Sequence, residues 1–170
     1  RGIKIAIAED NAADLLITRK FIEEYCHSRK IDISIDGFST AVAYLDSKQR
    51  YDAVFLDIEM PHMDGMELAA EIRKHDSRVV MVFVTNMARY AVNGYRVGAI
   101  DYVLKPISAF DFSLTMDRVM GAIARVREEK SYTVKSRESV TTLSASDIRY
   151  IESLNHHLIF HTSFGEQEVY

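Results

Sequence analysis

The stretch YDAVFLDIEMPHMDGMEL, residues 51 to 68, decides the fold. In it four apolar residues, Ala53-Val54-Phe55-Leu56, run straight into an ionisable one, Asp57. A run that is β-branched and aromatic, and too short for a helix, has the pattern of a strand buried on both faces, as in a parallel sheet. Asp57 then stands at the carboxyl end of that strand. In open α/β sheets this is the edge where ligands bind, because the strands deliver side chains into a crevice from which the helices begin.

Four similar runs surround this one, at Ile3 to Ala8, Ile31 to Ile35, Val79 to Val84 and Ile100 to Leu104, with helix-like segments between them. Such alternation implies βαβ units. After the first run, Ala12, Leu15, Ile22 and Cys26 fall on one helical stripe, with Arg19 placed to snorkel at its edge. Asp64 followed by Glu67 has the spacing of a capping box, and Leu68, Ala69 and Ile72 give the helix after it an apolar side. Ala109, Phe112, Met116, Val119, Ile123 and Val126 then predict a long helix from about Ser108 to Glu129. Right-handed crossovers put such helices on both faces of a doubly wound, five-stranded parallel sheet, for which the order 2-1-3-4-5 is expected.

With 170 residues, 48% of them hydrophobic, the chain can form one full domain and part of a second. A formal net charge of -4 provides no global basic footprint for nucleic acid. The single cysteine, Cys26, cannot close an internal disulfide; it reads as a small core hydrophobe and suits a reducing, cytoplasmic setting. No stretch approaches the roughly 18 uncharged apolar residues of a membrane span. A start at Arg1 and an end at Val169-Tyr170, inside a strand-like pattern, give the expectation of a piece of a longer chain.

If the first, third and fourth strands are neighbours, their carboxyl ends gather Glu9, Asp10, Asp57 and Thr85, and the fifth adds Lys105. Three carboxylates in one crevice repel one another, and a desolvated cluster of them needs a cation; an all-oxygen set with room for water suits Mg²⁺. One carboxylate can then act as a nucleophile toward a phosphoryl group, with the metal, a hydroxyl and an ammonium balancing the charge on the transferred oxygens. Each residue also has a plainer reading. Asp57 alone is a turn former, Thr85 an N-cap, Lys105 a solvated charge and Tyr102 a packed sheet aromatic. The constellation outweighs those readings. Met60, Met63 and Met66 read as gap-filling apolar residues, and His62 as a surface-loop residue.

The residues at this edge resemble the receiver domain of two-component response regulators, over roughly the first 125 residues. The likeness is carried by AED at Glu9-Asp10, LDIEMPHMDG around Asp57, VTN at Thr85 and DYVLKP at Tyr102 to Lys105. It implies a flavodoxin-like receiver over residues 1 to 129. In that family's terms Asp57 is the phosphoacceptor, Asp10 a direct metal ligand, Glu9 a ligand through water, and the Glu59 carbonyl a further ligand. Lys105 would pair with the phosphoryl oxygens, Thr85 would move toward them, and the rotamer of Tyr102 would report the state. The resemblance also implies a cis Lys105-Pro106 bond that aims the lysine inward.

From about Ser131 the texture turns to strands, at Thr133-Val134, Val140 to Leu143, Ile148 to Ser153 and His157 to Thr162. LSASDIRYIESLNHHLIFHTSFGEQEVY resembles the opening of a LytTR-type DNA-binding domain, so residues 130 to 170 are expected to be its incomplete N-terminal part. Across residues 131 to 170 three basic residues, Lys135, Arg137 and Arg149, stand against five acidic ones, Glu138, Asp147, Glu152, Glu166 and Glu168, a balance of -2. DNA binding is therefore expected of a full-length protein rather than of this segment. Adjacent His156 and His157 point to opposite faces of a strand and do not readily share one ion. Unpaired strand edges make a homodimer an expectation, and a receiver face near Arg89, Tyr95, Asp101 and Arg118 is a second place for such a contact.

The function these features imply is a phosphorylation switch. A sensor histidine kinase would phosphorylate Asp57 in a Mg²⁺-dependent reaction, and the altered receiver would control an attached DNA-binding output in transcription. The competing class is a phosphatase with an aspartyl-phosphate intermediate, since Asp57-Ile58-Glu59 places an acid two residues after the nucleophile. That chemistry normally uses the first strand, whereas here the acceptor lies on the third.

Overall fold

The computed structural model describes the chain except at residues 1, 130, 136 to 139, 146, 155, 156, 164 and 170, and except for the side chains of residues 129, 131, 132, 134, 135, 144, 167 and 169. It divides into two compact units, Arg1–Ile123 and Ala124–Tyr170, and the division falls within the last helix.

In the first unit strands and helices alternate: β1 (Ile3–Ala8), α1 (Ala12–Ser28), β2 (Ile33–Phe38), α2 (Ala41–Asp46), β3 (Ala53–Leu56), α3 (Gly65–His75), β4 (Val80–Thr85), α4 (Ala91–Arg96), β5 (Asp101–Leu104) and α5 (Ala109–Glu129). The five strands are parallel in the order β2-β1-β3-β4-β5, the expected doubly wound sheet. Every residue of β3 and β4 is buried. Alternation of side chains splits each strand between two cores: Ala53, Phe55, Val82 and Val84 pack with Ile22, Phe112 and Met116, while Val54, Leu56, Met81 and Phe83 pack with Leu68, Ala69 and Ile72.

The second strand lies later than the run Ile31 to Ile35. The Ile31 N–H is taken by the Cys26 carbonyl at 3.0 Å, which closes the end of α1, and pairing continues through Asp36 and Gly37 against Ala6 and Ile7. Polar residues are tolerated there because β2 is an edge strand with one flank open. The stripe on α1 also differs in part. Ala12 is exposed, whereas Thr18 and Tyr25 are buried beside Ile22 and Cys26. Tyr25 is drawn in by α5: its hydroxyl donates to Asp117 Oδ1 at 2.5 Å, and the Arg29 guanidinium lies 3.8 Å from its ring centre. Arg19 reaches the Ile35 carbonyl at 3.2 Å.

The capping box forms as its spacing suggested, with Asp64 Oδ1 accepting from the Glu67 N–H at 2.8 Å and Glu67 Oε2 accepting from the Asp64 N–H at 2.9 Å. At the far end of α3, Arg73 ties three segments together. Its Nε donates to the Val97 carbonyl at 2.6 Å, Nη1 to those of Val79 at 2.8 Å and Asp76 at 3.2 Å, and Nη2 to that of Gly98 at 3.2 Å. The long helix runs as the spacing predicts, with Phe112, Met116, Val119 and Ile123 buried.

The second unit is all β after the helix. β6 (Ser131–Lys135) and β7 (Val140–Ser144) pair antiparallel, and β8 (Ile148–Leu154), β9 (His157–Thr162) and β10 (Gly165–Val169) form an antiparallel sheet in the order β10-β9-β8. His157 Nδ1 lies 2.9 Å from Glu168 Oε1, and His161 sits between Glu152 and Glu166, 3.1 Å from each. His156, the other half of the histidine pair, lies outside the described residues, as do Arg137 and Glu138.

Candidate functional site

The site is built where β1, β3, β4 and β5 end. β1 hands over to Glu9, whose N–H bonds to the Phe38 carbonyl at 2.9 Å. Asn11 then caps α1: its side chain accepts from the Asp14 N–H at 3.0 Å, while its own N–H donates to Glu9 Oε1 at 3.0 Å. One strand over, the Asp57 N–H continues the ladder to the Ala8 carbonyl at 2.9 Å, and Asp57 Oδ1 accepts from the Glu59 N–H at 3.1 Å. The first residue of α3 closes in from behind. A Cβ on Gly65 would lie 2.0 Å from the Asp57 carbonyl oxygen, so only glycine fits there.

Lys105, held to β4 by an N–H bond to the Thr85 carbonyl at 3.0 Å, sends its side chain into the acidic pocket. Its ammonium donates to Glu9 Oε2 at 2.6 Å, Asp57 Oδ2 at 2.8 Å and Asp14 Oδ2 at 2.8 Å. The following Lys105-Pro106 bond is cis. Glu9 and Asp57 are 3% and 4% exposed, and Thr85 is fully buried. Asp10, by contrast, faces solvent.

Burial works against the charges of Asp57, Lys105 and Glu9, and the partners decide which ones survive. For Asp57, burial raises the pKa, but hydrogen bonds from Lys105 and the Thr85 hydroxyl outweigh it and hold the carboxyl below its ordinary value. Burial also opposes the Lys105 ammonium, which Asp14, Asp57 and Glu9 nonetheless hold above the usual lysine range. Glu9 carries the residual conflict: burial pushes it up to about 7 despite Lys105 and the Asn11 N–H. The pocket thus keeps an ionised Asp57 against a charged lysine.

Thr85 accepts the Met87 N–H at 3.3 Å, and the Tyr102 hydroxyl donates to the Met87 carbonyl while its ring packs 5.8 Å from that of Phe83. Tyr102 is therefore linked to Thr85 through the backbone of one residue, Met87. The Glu59 side chain is exposed, and so is that of His62. Met60, Met63, Met66 and Met87 pack on the core under the loops. On the neighbouring face, Asp101 accepts from Thr115 and Arg118, each at 2.6 Å, while Tyr95 is exposed.

Oxygens of Glu9, Asp10 and Asp57 lie within 4.8 Å of one another, the one such group of potential metal ligands among the described residues. A hard, all-carboxylate set open to water on the Asp10 side fits Mg²⁺. Asp14 joins the site with almost no mark in the sequence. Its position in the first turn of a helix has a sufficient explanation in the helix dipole, and only its placement one turn after Asp10 hints that it shares the same edge.

An open parallel α/β sheet whose switch-point edge carries this acidic pocket and lysine is the layout of a signalling receiver. The chain belongs to the response regulator receiver domain family, whose model matches residues 5–116. It is 27% identical over 169 residues to the transcriptional regulatory protein NatR of Bacillus subtilis, covering 99% of this chain and 71% of NatR. It is 30% identical over 161 residues to the transcriptional regulatory protein BtsR of Escherichia coli K12, covering 93% of this chain and 61% of BtsR. Among solved structures, the receiver domain of the sensor histidine kinase PA1611 from Pseudomonas aeruginosa PAO1 superposes with a TM-score of 0.60 at 23% identity, over 71% of this chain and 99% of that one. That domain holds a magnesium ion in its active site cleft. No helix among the described residues is long and apolar enough to cross a membrane.

Proposed function

We propose that this chain is the phosphoacceptor part of a two-component response regulator, in which Asp57 receives the phosphoryl group of a sensor histidine kinase in the cytoplasm. The observation that carries the reading is the convergence of Glu9, Asp10 and Asp57 with Lys105 on one sheet edge. An ionised Asp57 oxygen attacks phosphorus, the P–N bond to the kinase histidine breaks, and the electron pair stays on the leaving imidazole nitrogen. Glu9, Asp10, Asp57 and the Glu59 carbonyl would hold the metal, which when bound supplies positive charge to the phosphoryl oxygens. Lys105 pairs with one of those oxygens and the Thr85 hydroxyl donates to another. Because Met87 accepts from Tyr102 and donates to Thr85, a shift of Thr85 is passed to Tyr102.

In this reading residues 1 to 129 form the receiver and residues 130 to 170 begin a LytTR-type DNA-binding domain, whose DNA contacts belong to the full-length protein. Two features support it: the antiparallel β10-β9-β8 sheet, and the match to transcriptional regulatory proteins along nearly the whole chain. Incubation with acetyl phosphate and Mg²⁺, followed by intact-mass spectrometry, should show one base-labile phosphoryl adduct that Asp57→Ala abolishes. Steady phosphate release from many phosphomonoesters would instead favour a phosphatase.

A further inference from the structure

The three hydrogens of the Lys105 ammonium go to three carboxylates on three elements: Glu9 after β1, Asp57 after β3 and Asp14 in α1. The proposed chemistry employs the first two and leaves Asp14 without a task. Asp14 also stands outside the group of oxygens close enough to hold one ion. Its side chain is 34% exposed, whereas those of Lys105, Glu9 and Asp57 are 9%, 4% and 4% exposed.

The occupancy of the carboxylates gives Asp14 a role. Glu9 Oε1 accepts from the Asn11 N–H and Oε2 from Lys105; Asp57 Oδ1 accepts from the Glu59 N–H and Oδ2 from Lys105. All four oxygens are engaged, and the ammonium and an entering cation are rivals for two of them. A lysine pushed off Glu9 and Asp57 with no other anion in reach would be a half-buried, unpaired charge, which is costly. Asp14 is already within hydrogen-bonding distance, and its partial exposure keeps that pair cheap to form and to release.

Resting on the phosphoacceptor reading, we propose that Asp14 is a positioning residue that acts through Lys105, holding the ammonium when the metal claims Glu9 and Asp57 and no phosphoryl oxygen is yet there to pair with it. Without it Lys105 stays on the metal ligands and opposes the cation. A general pull of the Asp14 charge on Mg²⁺ makes the same residue matter, but would do so with or without Lys105. The two accounts separate in a double-mutant cycle.

The full chain and its Asp14→Asn, Asp14→Glu, Lys105→Ala and Asp14→Asn/Lys105→Ala variants are titrated with Mg²⁺ by calorimetry, and folding is checked by circular dichroism. Asparagine keeps the backbone N–H that bonds to Asn11, removes the charge and turns one carboxylate oxygen into an amide donor. Asp14→Asn should weaken Mg²⁺ binding roughly tenfold, the worth of one charged hydrogen bond. Asp14→Glu should restore most of it, and in the Lys105→Ala background the same Asn substitution should change affinity less than about twofold. Equal losses in both backgrounds, or no loss in the single variant, would overturn the proposal while Mg²⁺ binding and Asp57 labelling by the parent chain still stood. If the parent chain neither bound Mg²⁺ nor took up phosphate from acetyl phosphate, the phosphoacceptor reading would fall, and the role of Asp14 with it.

Discussion

Lys105 Nζ and Asp57 Oδ2 meet at 2.8 Å in a pocket where both side chains are nearly sealed from water. The ammonium is the cation that three carboxylates share, since Glu9 and Asp14 contact it as well. Breaking a buried ion pair by removing one partner leaves the other charge uncompensated. Lys105→Ala should therefore destabilise the metal-free chain on the order of 3 kcal/mol in urea unfolding, and added Mg²⁺ should recover much of the loss. A midpoint equal to that of the parent chain would show that water hydrates the remaining carboxylates well enough to replace the ammonium.

Gly65 is the position where backbone meets backbone behind Asp57. A methyl group there would lie 2.0 Å from the Asp57 carbonyl oxygen and 2.7 Å from its carbon, atoms that have no rotamer with which to escape. Gly65→Ala should cost about 3 kcal/mol and, on the proposed function, slow labelling of Asp57 by acetyl phosphate, because the start of α3 must withdraw from the end of β3. A stable variant labelled at the parent rate would contradict the close approach.

Tyr102→Phe tests the link between the fifth strand and the segment after Thr85. The substitution keeps the ring against Phe83 and deletes the hydroxyl that donates to the Met87 carbonyl. A loss of about 1 kcal/mol is expected, with amide shifts concentrated at residues 86 to 90 in NMR spectra. Perturbation confined to residue 102 would mean that the hydroxyl does not hold that segment.

Cys26 is buried in the core beside Ile22, and burial pushes its thiol up to about 11. The thiolate is the reactive form, so at pH 8 only about one thiol in a thousand is competent even before access is counted. Labelling by a disulfide reagent should be very slow in the native chain and fast in urea, and the native rate should climb with pH toward 11. Rapid native labelling at pH 8 would indicate local opening of α1.

Much of this molecule was legible in its residues because two-sided burial leaves a plain mark. β3 and β4, covered on both faces, read as unbroken apolar runs, and the Asp64/Glu67 spacing announced the start of α3. The edge strand β2 was harder. Its Asp36 and Gly37 are polar or small because one flank is open, so composition alone could not carry the strand to Phe38. The six-residue helices α2 and α4 are too short to print a period. In α1, Tyr25 is buried for the sake of a hydroxyl bond to Asp117, a partner 92 residues away that no local pattern reveals.

The site divides in the same way. Asp57, Thr85 and Lys105 could be placed because each ends or directly follows a strand whose edge is known once the topology is known. Asp14 comes from a helix instead, and its contact depends on how far the Lys105 side chain reaches, a distance that spacing in the chain does not encode.

The four carbonyls gripped by Arg73 pin the C-terminal end of α4 to the base of α3 and the start of β4. Ahead of the helix, Met87 is held by hydrogen bonds to the Tyr102 hydroxyl and the Thr85 side chain as well as by its packing on the core. A beam clamped at one end and latched at the other swings about the clamp. Releasing the latch would make the intervening stretch pivot on Val97 and Gly98, with the widest arc nearest the carboxylates.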